Sequence, residues 1–208
     1  MKIKNLLFIC CMFLSFHAFS FLPVAKISNL STNAKLFFSD DSGQKQKAKK
    51  GDEIQEGLTL ILEGSGFVEI VFPNGKKIQK VIRLEDEGAL QFPKLNPMST
   101  NIVLKNGSLA VLVGIIPTTH DFMLSTENGK VFNLNNTKAF FDFNAKNLTS
   151  FVYLHQGQFL NKDFKLKTGE STVFKDGKIS KMAKINDAFL IQVKKSVATL
   201  SDKFRSLK

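Results

Sequence analysis

The chain has no tryptophan, one tyrosine (Tyr153) and two cysteines among its 208 residues. The cysteines, Cys10 and Cys11, sit in an apolar N-terminal stretch that is expected to be removed, so the remaining chain has none. That excludes a disulfide framework and thiol chemistry, while leaving passage through an oxidising compartment open. Zinc lacks donors as well. Beyond that stretch the histidines are His120 and His155, far apart in the chain and without a Cys or an HExxH spacing to complete a ligand set. Carbohydrate-binding surfaces rely on Trp and Tyr, whose rings stack while a polar tip reaches water, so their scarcity argues against such a surface. The 21 phenylalanines suit a core instead.

Catalytic patterns are equally scarce. Gly64-Ser65-Gly66 is not a nucleophile elbow, which needs a Gly-x-Ser-x-Gly turn between strand and helix. No glycine-rich loop precedes a helix to cradle phosphate. Glu85, Asp86 and Glu87 form an acidic cluster, but adjacency in sequence does not set the carboxylate separation that glycoside hydrolysis needs, and a solvated loop is expected there. With no nucleophile, base or metal set to name, the chain reads as non-enzymatic, with no catalytic, cofactor or metal residues assigned.

What is present begins at the N-terminus. Lys2 and Lys4 precede the apolar run 6–16, and Ala18-Phe19-Ser20 places small residues where a signal peptidase reads them. This is the pattern of a secretory signal over residues 1–20, with cleavage after Ser20. The run is shorter than the roughly 20 residues of a spanning helix. The expected location is the periplasm, with release from the cell as the alternative. Behind the signal we expect an N-terminal strand and basic loop (21–50), a β domain (51–182) and a C-terminal amphipathic helix (183–208).

The formal charge is +11. Part of the excess is concentrated at Lys45, Lys47, Lys49 and Lys50, the candidate anion contacts, and part near the C-terminus. A basic surface attracts lipid head groups, cell-wall polymers or nucleic acid. Nucleic acid fits least, because no recognition motif is present and an exported chain rarely meets it. A solvated lysine-rich face is the simpler reading of the same residues.

Asn74-Gly75, Asn106-Gly107, Asn128-Gly129 and Asp176-Gly177 accept positive φ and predict tight hairpin turns. Gln156-Gly157 and Thr168-Gly169 are weaker signals of the same kind. Between them lie short runs of Phe, Val, Ile and Leu with two-residue alternation: Phe67, Glu69 and Val71 on one side, Val68, Ile70 and Phe72 on the other. These predict an all-β, antiparallel, hairpin-rich domain, a sandwich or a curled sheet. Leu36-Phe37-Phe38 is a candidate first strand, with an exposed loop from Ser39 through the basic run.

After Asn186 the period changes. Phe189, Val193, Val197, Leu200, Phe204 and Leu207 recur three or four residues apart and form one helix stripe. Either this helix lies on or trails from the β domain, the favoured reading, or the stripe docks a partner or an anionic membrane surface.

"GDEIQEG" (51–57) followed by "GFVEIVFPNGKKI" (66–78) resembles the start of a FecR domain, in which a Gly-Asp and a later Gly precede a strand and a Pro-Asp-Gly or Pro-Asn-Gly hairpin. "IVLKNGSLAVLV" (102–113) is similar to that family's strand-Gly-strand unit. "FMLSTENGKVFNLNNTKAFFDF" (122–143), "FVYLHQGQF" (151–159) and "FKLKTGESTVF" (164–174) resemble its later strands. Asn136-Thr137 stands where the family has Gly-Thr, and Asn tolerates the left-handed conformation such a turn needs. The resemblance spans roughly 51–177 and implies an exported, non-enzymatic, β-rich sensing or interaction module in the cell envelope. It implies an envelope protein as partner, met through exposed strand edges or the C-terminal helix. The competing expectation is a carrier that holds an anionic lipid or glycan between the faces of a curved sheet. No cofactor is implied, and nothing in the sequence sets an oligomeric state.

Overall fold

The computed structural model describes residues 24–74, 77–160, 164–176, 178–180 and 187–206. The expected signal segment, 1–20, lies outside them. In chain order the described elements are β1 (Lys26–Leu30), β2 (Lys35–Ser39), β3 (Lys45–Lys47), β4 (Thr59–Glu63), β5 (Phe67–Asn74), β6 (Lys77–Leu95), β7 (Ser99–Val113) and β8 (Asp121–Thr126). They continue as β9 (Val131–Asn133), β10 (Thr137–Asn144), β11 (Thr149–Gln156), β12 (Gln158–Leu160), β13 (Lys165–Lys167), β14 (Ser171–Lys175), β15 (Lys178–Ser180) and a helix α1 (Asp187–Ser206). The fold is all-β with one C-terminal helix. The expected first strand is β2. A further strand, β1, precedes it, and Lys45–Lys47 of the basic run is strand rather than loop.

Thirteen strands form one hydrogen-bonded network, and β12 and β13 form a separate hairpin. The long strands β6 and β7 belong to two leaves at once. Residues 77–85 of β6 pair with β5 and with 108–113 of β7, and that part of β7 pairs with β10. Residues 89–95 of β6 meet β4 and the first half of β7, which pairs with β8. The first leaf therefore runs β1-β5-β6-β7-β10-β11-β14-β15, and the second runs β3-β2-β4-β6-β7-β8-β9. Among the described strands all pairings are antiparallel except β7 with β8.

The bend between the leaves falls at Asn106-Gly107, where the sequence predicts a hairpin turn. Instead Glu85 opposes Ser108 and Ala89 opposes Asn106, so Asp86, Glu87 and Gly88 of β6 bulge against Gly107 in mid-β7. Positive φ serves a bulge as well as a turn: Gly107 has φ +96° and Asp86 φ +54°. A Cβ on Gly107 would stand 2.8 Å from the Gly88 Cα, so only glycine permits this crossing. The acidic cluster is thus part of β6 rather than a loop: Asp86 and Glu87 are exposed, but Glu85 is drawn partly inside.

The other turns match expectation. Asn74 pairs with Lys77 across a two-residue connection, although Gly75 itself lies outside the described residues. Gly129 (φ +83°) donates its N–H to the Thr126 carbonyl at 2.9 Å between β8 and β9. Lys175 pairs with Lys178 around left-handed Asp176, with Gly177 outside the described residues.

Alternation then buries one face of each leaf against the other. Val68, Ile70 and Phe72 of β5, Ile82 and Leu84 of β6, and Phe141 and Phe143 of β10 meet Phe122, Leu124 and Phe132 of β8 and β9. The Phe72 and Phe122 rings are 5.0 Å apart across the sandwich, and Phe132 packs at 5.0 Å on Phe141 and 6.0 Å from Phe174. Such aromatic pairs add about 0.5–1.5 kcal/mol each beyond their area burial.

The outer face of the first leaf is covered by α1. Val193, Val197 and Leu200 are fully buried against Val71, Val81, Ala110, Leu112, Phe140, Phe151 and Tyr153. The favoured reading of the helix, that it lies on the β domain, is what the structure shows. The expectation that Val193, Val197 and Leu200 dock a partner is corrected: an apolar stripe that already covers apolar sheet is not free to meet one. The side chains of Phe189 and Phe204 lie outside those described. The molecule is therefore three layers: second leaf, first leaf, helix.

Candidate functional site

At one end of the sandwich a cleft of about 590 Å³ opens between β9, the 114–120 crossover and β12. Its floor is aromatic. Phe132 is buried there, with Phe159 at 5.2 Å and Phe164 at 5.6 Å from its ring. Its rim carries two apolar side chains turned to water, Ile115 (76% exposed) and Val131 (40%). Uncharged polar groups line much of the rest, among them Thr118, Asn133, Asn135, Asn136 and Gln158, with His120 and Asp121 at one side.

Backbone geometry holds these segments together. The Ile116 N–H donates to Asn135 Oδ1 at 3.0 Å, the Asn136 N–H to the Gly114 carbonyl at 3.1 Å, and Thr137 Oγ1 to the Asn135 carbonyl at 2.9 Å. Asn136 is left-handed, with φ +48°. That is the left-handed conformation the sequence leads one to expect of this Asn. Gly157 has φ +109°, and a Cβ there would lie 2.9 Å from the Asn136 carbonyl oxygen. His120 donates its backbone N–H to the Pro117 carbonyl at 2.9 Å, and its Nδ1 is 3.0 Å from Thr119 Oγ1. Among the described residues β9 pairs only with β8, so no described strand covers its second edge beside the cleft.

The lysines singled out in the sequence sit at the far edge of the second leaf. Lys45 is 2.8 Å from Glu63 and lies over the Phe37 ring. Lys47, Lys49 and Lys50 are exposed. Lys47 and Lys49 line a groove together with Asp52 and Glu53, and Asp52 accepts the Lys49 N–H at 2.9 Å. Carboxylates among the lysines make this a mixed-charge surface rather than a concentrated anion site. Lysines on an outermost strand also block edge-to-edge pairing.

A polar line runs under the helix. Glu69 is fully buried, and its Oε1 accepts from Arg83 Nε at 3.1 Å and from Arg83 Nη2. Arg83 lies 4.4 Å over the Phe67 ring and 3.8 Å from Glu85. Glu85 accepts from Ser196 of α1 at 2.8 Å. Burial raises the Glu85 carboxyl above its ordinary range, and the Ser196 hydroxyl and Arg83 oppose that. Burial likewise raises Asp142, against its hydrogen bond from Ser108 Oγ. On the inner side, Lys80 lies 4.8 Å over Phe122, and burial lowers its ammonium. Among the described residues, no group of three His, Cys, Asp or Glu is placed to hold a metal ion.

The cleft was not legible as a site. Asn136 is visible in the sequence only as a turn residue, and nothing in the primary pattern joins it to Ile115, Val131 and Gln158. The one available signal is local: the Asn133-Leu134-Asn135-Asn136 run and an Ile-Ile pair directly before a proline. No family model matches the chain, and neither does any curated protein or solved structure.

Proposed function

We propose that the chain is an exported, non-enzymatic interaction module of FecR-like type that takes up an extended segment of a cell-envelope protein. The observation that carries this reading is the open edge of β9 beside the cleft, with Ile115 and Val131 exposed at its rim. A segment added along that edge would gain backbone hydrogen bonds, while alternate side chains would enter the cleft and meet its amides. The export signal and the FecR-like assignment rest on the sequence motifs alone. The carrier reading has less support, because the space between the leaves is filled by Phe rings in contact. A photo-crosslinking residue at position 115 or 131 should capture one envelope protein, and the same residue at Leu148, exposed at the β10–β11 turn, should not. Equal capture from all three positions, or none from the first two, would sink the proposal.

A further inference from the structure

We propose that one rim of the helix-covered face, where Lys138, His155 and Lys194 come together, seats the protein on an anionic membrane surface with Lys195 and exposed Ile191 from the outward side of the same helix. Three elements build this rim. On β10, Lys138 shares the parity of Phe140, so it points to the helix side. On β11, His155 is the extra residue where the pairing with β10 shifts register, and its ring lies 6.3 Å from that of Tyr153, which faces the helix. On α1, Lys194 and Lys195 follow Val193, which is buried on Tyr153's face, and both are exposed.

Among the described side chains, which do not include Asp187 and Asp202 of α1, the positive potential here is not answered locally. Among the described residues, Lys138, Lys194 and Lys195 have no carboxylate within ion-pair distance. The described carboxylates of this layer are turned inward: Glu69 to Arg83, Glu85 to Arg83 and Ser196, Asp142 to Ser108. That Lys138 and Lys194 share one region with His155 is supported by His155 itself, whose imidazolium is disfavoured first by burial and then by these two lysines.

Charge alone would suit a soluble polyanion as well. Ile191 decides for a membrane. It is 66% exposed, and with Lys194 and Lys195 three and four residues on, it lies on the same side of the helix. An apolar side chain between lysines gains nothing from a hydrated polymer, but it inserts into the headgroup boundary of a bilayer while the lysines hold the phosphates. The mixed-charge groove at Lys47 and Lys49 has its own carboxylates and serves as the control.

The full-length protein would be sedimented with phosphatidylglycerol/phosphatidylcholine vesicles and with pure phosphatidylcholine vesicles. Binding to the anionic vesicles alone is expected, and it should weaken as salt rises. The triple variant Lys138→Glu, Lys194→Glu, Lys195→Glu should bind about tenfold or more weakly. Lys47→Glu, Lys49→Glu, Lys50→Glu, with the same change in net charge, should bind nearly as the parent does. Ile191→Asn should weaken vesicle binding but leave binding to soluble polyphosphate unchanged. Equal losses in both triple variants would reduce the effect to net charge and overturn the proposal. So would a parent that ignores anionic vesicles, or an Ile191→Asn variant with unaltered vesicle affinity. Should the rim triple fail to fold, Lys194→Gln and Lys195→Gln alone carry the same test, since both side chains are exposed. Substitution at Val131 in the cleft should leave vesicle binding intact, which separates this proposal from the peptide-binding one.

Discussion

Phe140 and Phe141 are neighbours in β10 and both are buried, but by different parts of the molecule. Phe141 faces the second leaf, in a core drawn from nearly every strand and crowded with other Phe rings. Phe140 faces the helix, in a small cluster closed by Val193, Val197 and Leu200. The inner face is apolar almost throughout. The outer face is apolar only beneath the helix and carries the Glu69–Arg83–Glu85 line within it. A two-leaf sandwich needs only its inner face dry. The outer face has to be buried because its strands carry apolar residues at alternate positions on both sides, and α1 is the element that does it.

This contrast can be broken experimentally. Phe141→Ala should show the largest effect, about 3–5 kcal/mol in denaturant unfolding, because the facing leaf cannot collapse into the cavity. If a chain truncated before Asp187 keeps its strand signature in circular dichroism, Phe140→Ala in that background should cost far less than in the full chain. Equal costs in the two backgrounds would show that the helix does not bury Phe140. Glu69→Ala should cost toward about 3 kcal/mol, the low end for breaking a buried pair, since Glu85 remains 3.8 Å from Arg83. Gly107→Ala should cost about 1–3 kcal/mol through a left-handed φ and backbone contact with Gly88. A wild-type melting curve for that variant would mean the leaves do not cross there as closely as described.

The smallest effects should appear with pH. Glu85 and Asp142 are raised by burial, so the folded state holds their protons more tightly than the unfolded chain. Stability should therefore fall as pH rises through the region just above the ordinary carboxylate range. Asp142→Asn should flatten that slope and melt higher at neutral pH. His155 has the opposite sign. Its depressed value means stability is lost as pH drops below the ordinary histidine range. The two carboxylates and the histidine thus act with opposite sign, and His155→Gln should abolish only the histidine's contribution.

How much of this was legible in the chain varies by element. The Asn128-Gly129 turn and the α1 stripe could be read directly, because each depends on residues close in sequence. Asn106-Gly107 was misread for an instructive reason. Its preference for positive φ is real, but a bulge and a hairpin turn ask the same of the backbone. Which one forms depends on whether a partner strand continues past it, and here β6 does. Leu36-Phe37-Phe38 was found while β1 was not, since β1 has little alternation of its own and is a strand through its pairing with β5. The candidate cleft was the least legible part. Ile115, Val131, Asn136 and Gln158 come from four separate segments, and only the crossover, the left-handed Asn136 and the close approach of Gly157 bring them together.

The sequence by itself determined the strand-and-turn grammar, the C-terminal helix and the absence of cysteine chemistry after residue 11, because local conformational preference and composition are properties of short stretches. The tertiary structure alone decided that the strands divide into two leaves, that the helix stripe is occupied by its own sheet, and that separated polar and apolar residues share one cleft. Those outcomes depend on which apolar faces meet, and that is settled by burial summed over the whole chain rather than by any one segment of it.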